Sequence, residues 1–171
     1  MTKQREALAS SNLKKLRWMT GFIILGLILS GVTAFPLEAE LRLLGHFAVG
    51  AEGSLSPADH RGLKHWILTV REGLINTYQA YPFIGYGTDW LAFGHVVIAL
   101  FFIPVWKNPV RYRANLTMGL WASIGVFALA FIAGPIRGIP LGWQLIDCSF
   151  GLVAGTVFIV MLRMTPQSEN L

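Results

Sequence analysis

The sequence predicts an all-α membrane protein: a four-transmembrane-helix bundle with both termini cytoplasmic and one or two amphipathic interfacial helices in the outer loop between spans 1 and 2. Three observations carry this expectation. The chain of 171 residues is 54% hydrophobic and only 13% charged, against about 25% charged residues in a soluble domain. Four mostly apolar runs, at about 18–35, 90–106, 115–133 and 141–162, approach the roughly 20 residues a helix needs to cross a hydrocarbon core of about 30 Å. Basic residues flank these runs asymmetrically, and cationic loops are retained in the cytoplasm.

The charge pattern fixes the expected orientation. The N-terminal arm holds Lys3, Arg5, Lys14, Lys15 and Arg17 against Glu6, and the loop between spans 2 and 3 holds Lys107, Arg111 and Arg113 with no acid. Residues 36–89 carry Glu38, Glu40, Glu52, Asp59, Glu72 and Asp89 against Arg42, Arg61, Lys64 and Arg71, which suits the outside. Residues 1–171 therefore read as a single integral membrane domain of the plasma membrane, or of the inner membrane in a Gram-negative cell. The formal net charge of +5 follows from this topology, so nucleic acid is not an expected partner.

Span 1 has a rival reading. Lys14, Lys15 and Arg17 before an apolar run and Val32-Thr33-Ala34 resemble a secretory signal with a cleavage site. The run at 18–35 exceeds the usual signal core of about 7–15 residues, which favours an uncleaved anchor. Within it, Gly26, Ser30 and Thr33 form a small-residue stripe that admits a neighbouring helix.

The outer segment, 37–81, is expected to be amphipathic. Pro36 ends or kinks the first span. Leu37, Leu41, Leu44 and Ala48 share one helical face, with Glu38 and Arg42 paired at i, i+4 on its flank. Gly50 and Gly53 interrupt that helix. Ser56 as N-cap, Pro57 at N1 and Asp59 at N3 then begin another, whose apolar face runs through Leu63, Trp66, Ile67, Val70, Leu74 and Tyr78. Residues 81–90 are aromatic and broken by Pro82, Gly85 and Gly87, so they read as an ordered loop at headgroup level, with Thr88 or Asp89 capping span 2. That loop either anchors the interface or, through Tyr86 and its neighbours, lines a pocket.

Chemistry-bearing residues converge on one predicted depth. His95 lies roughly 9 Å inside span 2, and Asp147 roughly 10 Å below the turn at the start of span 4, at 1.5 Å per residue. Gln144, Asp147, Cys148, Gly151 and Gly155 form one stripe of span 4, and Gly119, Ser123, Ala130 and Gly134 a small face of span 3. An aspartate inside a span costs about 2.5–3.5 kcal/mol on insertion scales, so it needs a partner and is a functional hypothesis by default. His95 and Arg137 are the expected partners. The candidate polar site is therefore His95, Arg137, Gln144, Asp147 and Cys148, with Asp89 and Tyr86 at its outer edge. A closed Asp–His or Asp–Arg clasp that sets helix register is the structural alternative.

No cofactor or metal is expected. A bis-histidine haem needs two ligands at matched depth, whereas His46, His60 and His65 lie outside the spans. His60 and His65 also lack the i, i+4 spacing of a metal-binding helix. Cys148 is the lone cysteine, which excludes an intrachain disulfide. Three function classes remain. A non-catalytic subunit or assembly factor of a membrane complex, partnered by other subunits or by self-association, is favoured because no catalytic motif is present. A small redox or lipid enzyme holding a quinone or a lipid headgroup at His95, Asp147 and Arg137 is the alternative. A proton or ion pathway in an oligomer is the third, with His95 and Asp147 as the relay.

Overall fold

The computed structural model describes residues 2–50 and 53–165, with side chains from residue 12 onward. The side chains of Lys3, Arg5 and Glu6, and residue Glu52, lie outside the described residues. The described chain is helical throughout: α1 (Thr2–Ala34), α2 (Leu37–Val49), a 3-10 turn at Pro57–Asp59, α3 (Gly62–Ala80), a second 3-10 turn at Pro82–Ile84, α4 (Gly85–Leu100), α5 (Ile103–Lys107), α6 (Arg113–Ile136) and α7 (Leu141–Met164). Four stretches are long and apolar enough to cross a membrane: Asn12–Ala34, Pro82–Lys107, Arg113–Ile136 and Leu141–Met164, of 23, 26, 24 and 24 residues. Each exceeds the roughly 20 residues required, and the chain is compatible with a polytopic membrane protein on that ground. It forms two compact units, one of Met1–Leu27 with Val97–Leu171 and one of Ile28–Val96.

In the first unit, α6 and α7 pack through the small residues that the sequence places on one face of each. Gly119, Ser123, Ala130 and Gly134 of α6 are buried, as are Gln144, Cys148, Gly151 and Gly155 of α7. The closeness is measurable at two glycines. A Cβ at Gly119 would fall into the ring of Phe158, and one at Gly151 would stand 2.8 Å from the Ser123 carbonyl oxygen. Elsewhere in the unit, Leu16, Ile23, Phe102, Val105, Leu116, Phe158 and Met161 make a buried apolar cluster. The Phe102 and Phe158 rings stack there at 5.5 Å.

Proline shapes both ends of this unit. Pro104 lacks an N–H and its ring crowds the carbonyl one turn back, so the apolar run breaks at Phe101 and Phe102 before α5 resumes. Asn115 Nδ2 donates to Phe101 O at 2.7 Å beside the break. At the other end α6 runs through Pro135 to Ile136, three residues beyond the expected limit at 133. The helix is closed there by a Schellman motif, in which Ile139 N–H donates to Gly134 O at 2.9 Å and Gly138 N–H to Pro135 O at 3.1 Å. Gly138 has φ +69°, a region that a Cβ penalises. Gly138→Ala is expected to lower stability by about 1 kcal/mol, read as a lower unfolding midpoint in detergent.

The second unit pairs α2 with α3. Leu41 and Gly45 are buried on α2, and Ile67, Leu68 and Ile75 on α3. The observed face of α3 is rotated from the predicted one: Leu63 is exposed, while Leu68, outside the predicted stripe, is fully covered. The reason is Gly45, whose missing side chain admits both Leu68 and the stem of Arg71. Glu38 and Arg42 form the expected i, i+4 pair at 2.7 Å, worth about 0.3–0.5 kcal/mol at an exposed site.

Three local expectations are corrected. The segment starting at Ser56 makes only the 3-10 turn Pro57–Asp59, without a side-chain cap, and α3 begins at Gly62 with φ +62°. Ser54 explains the interruption: its hydroxyl donates to the Asp59 carboxylate and accepts from Ser56 N–H, and its carbonyl accepts from His60 Nε2. Asp59 is thereby drawn away from a helical N3 role. Residues 85–90 are not loop but the first turns of α4, which follows directly on the turn Pro82–Ile84. Thr88 consequently caps nothing; its hydroxyl donates to Gly85 O at 2.7 Å and meets Tyr78 Oη at 2.8 Å.

Candidate functional site

The candidate residues divide between the two units. In the first, Arg137, Gln144 and Asp147 line one groove with Val126, Leu129, Ala130, Ala133, Gly134 and Ile139, enclosing about 220 Å³. The groove exists because the hairpin closes tightly at its tip. Gln144 Nε2 donates to Ile139 O at 2.7 Å, and its side chain lies across Gly134, where a Cβ would stand 2.8 Å from Gln144 Cδ. Gln144 is thus the buried polar pin of the turn, at 5% exposure.

Asp147 sits three residues further along α7 and is half-buried on the groove wall. Arg137, the first residue beyond α6, is exposed at the groove rim. The two opposite charges border the same apolar space, yet among the described residues the one ion pair is Arg42 with Glu38. An Arg137–Asp147 clasp is not formed. Cys148 does not line this groove and is buried at 6% exposure on the stripe of Gly151 and Gly155.

In the second unit, Tyr86 and Asp89 line a different groove of about 250 Å³ with Phe35, Trp90 and Phe93. Four of these residues follow i, i+3, i+4, i+7 spacing and so share one face of α4. His95 lies further along the same helix, where Nδ1 donates to Leu91 O at 2.8 Å. This leaves the lone pair of the neutral ring on Nε2. The ring is held beside a close helix contact, since a Cβ at Gly31 of α1 would stand 3.2 Å from His95 Cβ and 2.7 Å from Ala92 O.

Comparison with known protein families, with curated proteins and with solved structures finds no match. The groups themselves carry what can be said of the chemistry. Among the described residues no three His, Cys, Asp or Glu side chains converge as metal ligands. His60 and His65 are each engaged by a backbone carbonyl, Ser54 O and Pro57 O, both at 2.8 Å.

Sequence reasoning misses three features. Arg113 reaches Leu162 O and Thr165 O, both at 3.2 Å, and so caps the end of α7. Arg17 donates to Trp106 O at 3.3 Å and lies 5.9 Å from the Trp106 ring centre. In the sequence both read only as topology charges. Arg71 Nε and Trp66 Nε1 are buried without a hydrogen-bond partner among the described residues, and the signal that points to the first is Gly45, which makes room for the Arg71 stem.

Proposed function

We propose that the protein is a multi-pass plasma-membrane protein, both termini cytoplasmic, that serves as a non-catalytic subunit or accessory factor of a membrane complex. The observation that carries this reading is that Gly26, Ser30 and Thr33 of α1 have no packing partner within their own units. Small-residue stripes let helices approach closely in lipid, and those of α6 and α7 are filled by each other. These three small residues of α1 are not: within the first unit no neighbouring atom lies within 4 Å of where a Cβ on Gly26 would stand, and within the second Ser30 and Thr33 are exposed. A helix from another chain, or from a second copy, covers them.

The cytoplasmic placement of the termini is supported by the first unit's own contacts. Arg17 meets Trp106 beside Lys107, and Arg113 meets Leu162 and Thr165 beside Arg163. The basic residues of three chain segments thus gather at one end, as positive-inside retention requires.

Gly26→Leu separates packing within its unit from packing against a partner, because no atom of that unit stands within 4 Å of the new Cβ. The variant is expected to keep its unfolding midpoint while losing partners that co-purify with the wild type at fixed stoichiometry in mild detergent. A wild-type protein that is monomeric under those conditions, with no constant companion, would defeat the reading.

A second reading rests on the Arg137–Gln144–Asp147 groove. A guanidinium and a carboxylate that border one apolar space without pairing suit a bound lipid headgroup or quinone. Lipid extraction and an absorption spectrum of native protein test it: a species retained by wild type and lost in Arg137→Ala supports it, and no retained species counts against it.

A further inference from the structure

We propose that Arg17, held against Trp106, and the neighbouring Lys107 bind the phosphate of an anionic phospholipid at one end of the first unit. The inference rests on the reading of the chain as a membrane protein and not on the subunit assignment. Arg17 is fixed before any ligand arrives: its Nε donates to Trp106 O at 3.3 Å, and its guanidinium carbon stands 5.9 Å from the Trp106 ring centre. Those contacts occupy one N–H and one face of the group. Among the described residues neither terminal nitrogen has a hydrogen-bond partner, and Arg17 is in no ion pair. A guanidinium whose terminal N–H groups are free matches two phosphate oxygens at once, and one already positioned loses less freedom on binding.

The surrounding charge has one sign. Lys107 is exposed in the last turn of α5 and is in no ion pair among the described residues. Lys14 shares the helix face of Arg17 at i, i+3 and is exposed as well. Leu16, Val105 and Met161 belong to one buried cluster, which brings Arg17, Lys107 and Arg163 to one level of the unit. Asp147 is the unit's one carboxylate among the described residues, and it lies roughly 24 Å before Arg163 along α7, at about 1.5 Å per residue. The occupant is an amphiphile rather than a free anion because apolar surface adjoins the cations. Trp18 and Phe22 of α1 are 80% and 55% exposed, and Ile103 and Trp106 of α5 are 38% and 47% exposed. A soluble phosphate leaves that surface bare, whereas a lipid covers it with glycerol and acyl chains. Tryptophan marks the headgroup level of a bilayer, and cationic side chains at that level attract anionic lipid.

Full-length protein is placed in nanodiscs of mixed phosphatidylglycerol and phosphatidylcholine, and the lipid it retains on transfer to mild detergent is read by native mass spectrometry. Wild type is expected to keep phosphatidylglycerol in excess over its share of the bilayer. Arg17→Gln and Lys107→Gln are each expected to reduce that excess about fivefold, and Arg17→Lys to retain part of it. Lys64→Gln, which removes an exposed cation of the second unit, is expected to change nothing. Arg17 also contacts Trp106 O, so a lowered unfolding midpoint in Arg17→Gln leaves Lys107→Gln as the deciding variant. Inorganic phosphate, titrated into the wild type in detergent, separates the headgroup from a free anion: saturable phosphate binding without retained phosphatidylglycerol would overturn the proposal. Equal retention of the two lipids, an excess insensitive to both substitutions, or an equal fall in Lys64→Gln would overturn it too. A protein that stays monodisperse without detergent would defeat the membrane reading, and this proposal with it.

Discussion

Gly151→Ala is expected to lower the unfolding midpoint of the protein in detergent by roughly 2–12 °C, while Gly155→Ala, one turn away, leaves it within the error of the measurement. The contrast follows from what a methyl group would meet. At Gly151 it would stand 2.8 Å from the Ser123 carbonyl oxygen and 3.1 Å from Val126 Cβ. The first is backbone and cannot move without shifting α6 as a whole. At Gly155 its nearest neighbour is Ser123 Cβ at 3.4 Å, an ordinary contact. Overpacking of a close contact costs about 1–3 kcal/mol, and in a chain of this size each kcal/mol moves the midpoint by about 2–4 °C. Thermal unfolding followed by circular dichroism reads both variants. Equal midpoints would mean that α6 and α7 do not approach at Gly151 as described.

Arg113→Met is expected to destabilise the same helix pair by about 2–3 kcal/mol. Methionine keeps much of the apolar stem but removes both donations to the end of α7, at 3.2 Å each to Leu162 O and Thr165 O. Hydrogen bonds from charged groups contribute about 1.5–3 kcal/mol each, and the partial burial of Arg113 sets the sum well below twice that range. Arg113→Lys is expected to recover less than half, since an ammonium lacks the planar fork that reaches two carbonyls at once. Full recovery by lysine would show that charge near the helix end, rather than the bidentate geometry, is what stabilises.

Much of this is legible in the sequence, for reasons that differ by element. The four spans are readable because crossing lipid imposes length and composition directly, and the observed stretches differ from the expected ones at their ends. The small residues at 119, 123, 130 and 134 and at 148, 151 and 155 are readable as packing faces. Which faces meet is less so, because periodicity fixes the side of a helix but not its partner. Spacing alone therefore groups Cys148 and Gly151 with Asp147 as one polar stripe, whereas the first two are buried and Asp147 stands on a groove wall.

Gln144 illustrates a second limit. Its role as the pin of the turn depends on the absent side chain of Gly134, and nothing in either residue alone announces that pairing. The start of α4 is a third. Glycines 85 and 87 and the aromatic run argue for loop, but Pro82 begins a 3-10 turn that leads straight into helix, and proline at a first helical position is already set to the required φ. The aromatic face of α4 exists only because that turn is helical.

The α6–α7 pair is fastened at both ends, by the Gly138 turn with Gln144 at one and by Arg113 at the other, and this bears on how the protein is made. A helix that leaves the translocon alone must offer its own small-residue face and polar groups to lipid without the close packing of the facing helix. Paired, α6 covers Gln144 and α7 covers Ser123. The last two spans are therefore expected to enter the bilayer as one step rather than two, with Gly138→Pro, which cannot adopt a positive φ, splitting that step in a stalled-nascent-chain force profile.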